Sequence, residues 1–133
     1  MNSPSTLLRN FHDLLPQVKA VSFDVFDTTL QRVVFPKEVF ALVEEEAIKK
    51  FGKHFYGYAA NRIRAEIHAR KIKKQECGHC EISLEEIYEE LQNAVPQWNN
   101  CLFDLLKFEV KQEERCSRVH PLGYELWQLA HSE

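Results

Sequence analysis

One short stretch limits what this chain can fold into. Val18-Lys19-Ala20-Val21-Ser22-Phe23-Asp24-Val25-Phe26-Asp27-Thr28-Thr29-Leu30 is the only place where an apolar run stops abruptly on carboxylates. Val18, Val21, Phe23 and Val25 have the β-branched and aromatic character of a short buried strand, and two acids with two hydroxyls arrive where that strand should end. Everything else reads as helix. In open α/β sheets ligands gather at that end of a strand, where an acid can act as nucleophile, metal ligand or both. The same Asp and Thr residues also suit a plain surface turn, because their side chains bond their own backbone.

The 133 residues fit one domain, and 44% apolar residues with only four Gly and five Pro predict a folded body. The 17 basic side chains are nearly balanced by 20 acidic ones, without a long block of one sign, so nucleic acid is not an expected partner. No apolar run approaches the roughly 20 residues that span a bilayer, and the first residues lack the pattern of a secretion signal. The expected location is therefore cytoplasmic, with no membrane partner. The four cysteines are expected to stay reduced there.

Along the chain, residues 5–15 form an amphipathic helix with Leu7, Leu8, Phe11, Leu14 and Leu15 on one face, Ser5 as its cap and Pro16 behind it. After the acidic stretch, Pro36 suits a first helical position, and Val39, Phe40, Val43, Ala47, Ile48 and Phe51 recur at three and four until Gly52. Phe55, Ala59, Ile63 and Ile67 step by four and predict a second helix over 54–73. Ser83-Leu84-Glu85-Glu86 is a capping box that opens a third helix, which stops before Pro96. Residues 96–115 predict a fourth, and Pro121 opens a last helical segment with Leu122, Leu126, Trp127 and Leu129 on its buried side.

The stretch from Phe23 to Leu30 resembles the first motif of the haloacid dehalogenase superfamily, an apolar strand followed by Asp, two further residues, another residue and Thr. Asp24 falls on the nucleophile, Thr28 on the hydroxyl position, and the backbone carbonyl of Phe26 on one that helps hold magnesium in that family. The start also resembles a bacterial branch that opens Ser-Phe-Asp-hydrophobic-Phe-Asp-Thr. Arg32, Pro36-Lys37-Glu38-Val39-Phe40, Arg62, Ala65-Glu66, Ala69-Arg70 and residues 82–88 are similar to it.

The resemblance implies an α/β fold: a Rossmann-like core, of which only the first strand is present, with a mostly helical cap inserted after a tight turn and a flap. This chain would be predominantly helical. Residues 1–34 would start the core, 35–116 would form the cap and 117–133 would return to an incomplete core. A lone parallel strand has no partner, so the chain reads as the amino-terminal part of a longer enzyme or a truncated descendant. The implied activity is a magnesium-dependent phosphatase that passes through an aspartyl-phosphate on Asp24, inactive as this fragment. A phosphorylated small molecule, such as a sugar phosphate, would be its substrate.

The motif departs from the phosphatase pattern at Phe26, where an acid normally protonates the leaving oxygen. The family's dehalogenases carry an aromatic there, so a dehalogenase-type reaction is an alternative. Asp27 lies one residue further on and points to the opposite side of an extended chain. A second alternative is a non-catalytic helical module that binds a partner, or itself, through the surface a missing sheet would have covered.

Two further features bear on function. Arg62, Arg64 and Arg70, with His68, give the second predicted helix a basic side, and Arg62 and Arg70 are the candidates to meet an anionic substrate. Their plain reading is pairing with Glu66 and neighbouring acids, and Glu109 is read as exposed or paired with an Arg across the bundle. Cys77-Gly78-His79-Cys80 has the spacing of a redox dithiol or half a zinc site, in a segment otherwise read as a loop.

Overall fold

The computed structural model describes residues 3–132, and these are predominantly helical, with six α-helices and one small two-stranded sheet among the described residues. They divide into two compact units. One comprises Val34–Arg115, and the other holds the residues up to Val33 with those from Cys116 onward.

The Val34–Arg115 unit is a helical bundle built from α2 (Pro36–Phe51), α3 (Tyr58–Cys77), α4 (Leu84–Ala94) and α5 (Leu102–Arg115), with 3-10 turns at Lys53–Phe55 and Pro96–Cys101. Local chemistry sets the ends of these helices. Pro36 takes the first position of α2, and Glu38 reaches back so that its carboxylate accepts from Phe35 N–H at 2.6 Å. Gly52 ends the helix at φ 110°, a conformation that disfavours any side chain. At α4 the capping box is closed both ways: Glu86 N–H donates to Ser83 Oγ at 3.3 Å and Ser83 N–H donates to Glu86 Oε2 at 2.7 Å.

Packing joins these pieces. Val43, Phe55, Leu91 and Leu105 are fully buried, and Phe55 stacks on Trp98 with ring centroids 5.4 Å apart. Each such side chain contributes about 1.5–3 kcal/mol by leaving water. The Trp98 indole N–H donates to the His54 carbonyl at 3.1 Å, so its one polar atom is satisfied. Glu44, on α2, accepts from the N–H groups of Gly57 and Ala59 at 3.1 and 2.8 Å, placing a carboxylate on the otherwise unpaired donors at the start of α3.

Two boundaries differ from the sequence reading. The second helix begins at Tyr58, because Gly57 is left-handed at φ 87° and breaks the run from His54, and it continues to Cys77. The fourth begins at Leu102, after a 3-10 turn started by Pro96.

The second unit contains α1 (Pro4–Leu14), a 3-10 turn at Leu15–Gln17, β1 (Leu30–Arg32), β2 (Ser117–Val119) and α6 (Pro121–Ser132). Ser3, two residues before the cap the sequence suggested, caps α1 by accepting from Thr6 N–H at 3.4 Å. The two strands pair antiparallel, with Leu30 opposite Val119, Gln31 opposite Arg118 and Arg32 opposite Ser117. In sequence, the whole helical unit lies between them.

The buried strand expected over residues 18–25 is not formed. That segment has no ladder partner, and Val18, Val21 and Val25 are exposed at 49%, 38% and 49%. β-branched residues make a strand only where a neighbour takes up their backbone N–H and C=O groups. Such a neighbour exists at Leu30–Arg32 and not at Val18–Val25, so the ladder forms there.

Candidate functional site

The acidic motif folds into one tight turn. Thr29 N–H and Leu30 N–H both donate to the Val25 carbonyl, at 3.0 and 2.8 Å, and Asp27 N–H donates back to the Leu30 carbonyl at 2.7 Å. The Thr29 hydroxyl lies 3.2 Å from the Asp24 carbonyl and 3.1 Å from that of Val25, tying the entry of the turn to its exit. Asp27 sits at φ 61°, the only positive φ outside glycine among the described residues, in a region that Asp tolerates better than most.

Within this turn Asp24 is exposed and Thr28 is half-buried. An exposed carboxylate at the entry of a hydrogen-bonded turn can be reached from solvent, which is a condition that nucleophilic catalysis would impose. Phe26 offers no proton at the position where a general acid was considered, and its ring is covered by the Arg32 guanidinium, 3.6 Å from the ring centroid. Among the described residues no group of three or more His, Cys, Asp or Glu could hold a metal. The Asp24 carboxylate and the Phe26 carbonyl are hard oxygen donors, which fits magnesium as part of a shell otherwise made by water and phosphate.

The turn rests on α6. His120 N–H donates to the Thr29 carbonyl at 2.9 Å, and Gly123 lies so close that an added Cβ would meet the Thr28 carbonyl oxygen at 1.8 Å. Gly123 thus lets α6 approach the turn closely, a contact that the sequence reading missed. Its only local sign was a glycine inside the first turn after Pro121.

Arg62 and Arg70 both lie on α3, in the helical unit. Arg62 is 4% exposed, and its guanidinium is taken up by carboxylates: Nε and Nη2 donate to Glu109 at 2.9 and 2.6 Å, and Nη1 to Glu66 at 2.9 Å. Expected to face an anionic substrate, it is instead committed inside the bundle. Glu109 takes the cross-bundle pairing of its two expected alternatives. The hydroxyls of Tyr58 and Tyr88 donate to Glu109 Oε2 at 3.1 and 2.9 Å and lie 2.7 Å from each other.

Burial, then the charge of Glu109, pushes the Tyr58 phenol far above its ordinary range, and burial does the same at Tyr88. Burial alone would lower Arg62, but the hydrogen bonds and charge of Glu109 outweigh it and hold the guanidinium protonated. Arg70 is half-exposed and donates to Glu66 at 2.7 Å and to the Cys80 carbonyl at 2.8 Å.

The arrangement therefore has two parts: a hydrogen-bonded turn holding Asp24, Phe26 and Thr28, and a buried Arg–Glu–Tyr network inside the bundle. No family model, curated protein or solved structure matches this chain.

Proposed function

We propose that this chain belongs to a haloacid dehalogenase-like hydrolase, supplying its nucleophile turn and inserted helical cap, and that the enzyme is a magnesium-dependent phosphatase of small phosphorylated molecules such as sugar phosphates. The observation that carries this reading is an order of elements. Asp24 leads directly into a tight turn, the turn into a two-stranded ladder, and between the two strands the sequence inserts a separate helical unit. That is the order the resemblance implies: motif, turn, flap, cap.

In this reading an Asp24 carboxylate oxygen attacks phosphorus and the substrate's alkoxide oxygen departs, leaving phosphate bonded to Asp24. Water then attacks that phosphorus, releases inorganic phosphate and restores the carboxylate. Magnesium, when bound, supplies neutralisation of the two anions that must meet, with Asp24 and the Phe26 carbonyl as the donors from this chain. Because Phe26 has no proton to give, the leaving oxygen draws its proton from water.

In a protein that joins this chain to a complete core, Asp24→Asn should reduce magnesium-dependent phosphate release from sugar phosphates by at least about a thousand-fold. Unchanged turnover in that variant overturns the assignment. Trapping by acid quench should place radiolabelled phosphate on Asp24 and nowhere else.

The exposure of Val18, Val21 and Val25 favours a second reading, in which the chain is a non-catalytic module that associates through this apolar segment. Sedimentation in the presence of chelator separates the two. Association that rises with concentration and vanishes in Val21→Glu supports the module, and a monomer throughout counts against it.

A further inference from the structure

The geometry points to a zinc site shared by two copies of this chain, each contributing Cys77 and Cys80. Both thiols are free and exposed, three residues apart, at a corner of the helical unit. The corner has a fixed shape. Cys77 is the last residue of α3, and Gly78 turns the chain at φ 78° with its N–H donating to the Lys74 carbonyl at 3.0 Å. Arg70, itself held by Glu66, donates to the Cys80 carbonyl at 2.8 Å and pins the far side of the loop. A left-handed glycine turns the chain between the two cysteines, and the Cys-x-x-Cys spacing is that of half a tetrahedral zinc shell.

Three observations bear on how the other half is supplied. Among the described residues no group of three or more His, Cys, Asp or Glu stands together as a metal shell, so the other two thiolates are taken from a second copy. His79, between the cysteines, accepts from the Glu81 N–H at Nδ1 over 3.3 Å, which occupies that ring nitrogen. The corner is also open: nothing lies within 4 Å of where a Gly78 side chain would project, which leaves room for a second molecule. An identical corner related by a two-fold axis provides two more thiolates, closing a four-sulfur shell at about 2.3 Å per bond.

A redox role is the competing use of the pair. Redox dithiols place the attacking cysteine at a helix N-terminus, whereas Cys77 occupies the C-terminal end of α3. Lys71 and Lys74 are exposed on the last turns of that helix, and the exposed Glu76 and Glu81 flank the two cysteines in sequence.

The test uses the whole chain under a phosphine reductant that keeps thiols free. Added Zn2+ should bind at one ion per two chains and double the sedimenting mass, and chelator should reverse both. Co2+ in its place should give the charge-transfer band of four thiolate bonds. Cys77→Ser and Cys80→Ser should each abolish zinc-driven pairing, with the helical circular dichroism and melting temperature unchanged because both side chains are exposed. One ion per monomer, a two-thiolate cobalt spectrum, pairing that survives either substitution, or no zinc uptake would each overturn the proposal. Association through Val21 is told apart by its persistence in chelator.

Discussion

Replacing Glu109 with leucine is expected to destabilise the helical unit by about 3–5 kcal/mol, among the largest losses any single substitution in it should cause. The carboxylate accepts from Arg62 along two paths and from the hydroxyls of Tyr58 and Tyr88, all inside the bundle. Its removal leaves a guanidinium that is 4% exposed with only Glu66 beside it, and strips two buried phenols of their charged acceptor. An unpaired buried donor costs about 1–3 kcal/mol, and a charge costs more.

For a unit of this size each kcal/mol moves the midpoint by about 4–8 °C, so the melting temperature should fall by at least about 12 °C. Urea unfolding followed by circular dichroism at 222 nm gives the free energy directly. The double variant Arg62→Met with Glu109→Leu is the informative control, since removing both charges avoids the stranded ion and should recover much of the loss. A single-variant loss below about 1 kcal/mol would mean that water reaches Arg62 and that the network is not the sealed structure described.

The network also shows why part of the bundle was legible in the sequence and part was not. Helix ends were readable because they rest on chemistry within a few residues: Pro36 and Glu38 open α2, Gly52 closes it, and Ser83 with Glu86 opens α4. The buried side of α3 was not. The step of four through Ile63 and Ile67 signalled a helix, yet those two are 37% and 63% exposed, while Tyr58, Arg62, Ala65 and Ala69 face inward. An arginine reads as surface until its partner is known, and Glu109 lies 47 residues away. The resemblance drew Arg62 toward substrate for the same reason.

The motif turn divides in the same way. The turn around Asp24 and Thr28 was legible as a turn because it closes through bonds among neighbours, from Val25 to Leu30. The strand was misplaced because pairing is a property of two segments. Leu30–Arg32 acquires Ser117–Val119 as its partner, and the more strand-like Val18–Val25 acquires none. Gly123 escaped notice because nothing near it in sequence reveals that Thr28 will lie against it.

That contact makes the second large expected effect a glycine substitution far from Asp24 in sequence. In Gly123→Ala the new methyl would stand 1.8 Å from the Thr28 carbonyl oxygen and 2.8 Å from its carbon, and both atoms are backbone, which cannot rotate aside as a side chain can. Either α6 lifts or the turn opens. In each case the bond from His120 N–H to the Thr29 carbonyl is lost, and the β1–β2 ladder loses its neighbour at Leu30. Overpacking of this kind costs about 1–3 kcal/mol and more where backbone must move. Hydrogen exchange reads it locally: the amides of Asp27, Thr29, Leu30 and His120 should lose protection by at least about tenfold, while those of Leu91 and Leu105 in the helical unit should not change. Protection that stays intact in the turn would mean that α6 does not rest on it. If the proposed phosphatase reading holds, the same variant in a complete enzyme should lower phosphate release without touching substrate, and the exchange pattern distinguishes it from Asp24→Asn, which would remove the proposed nucleophile and leave every one of these amides protected.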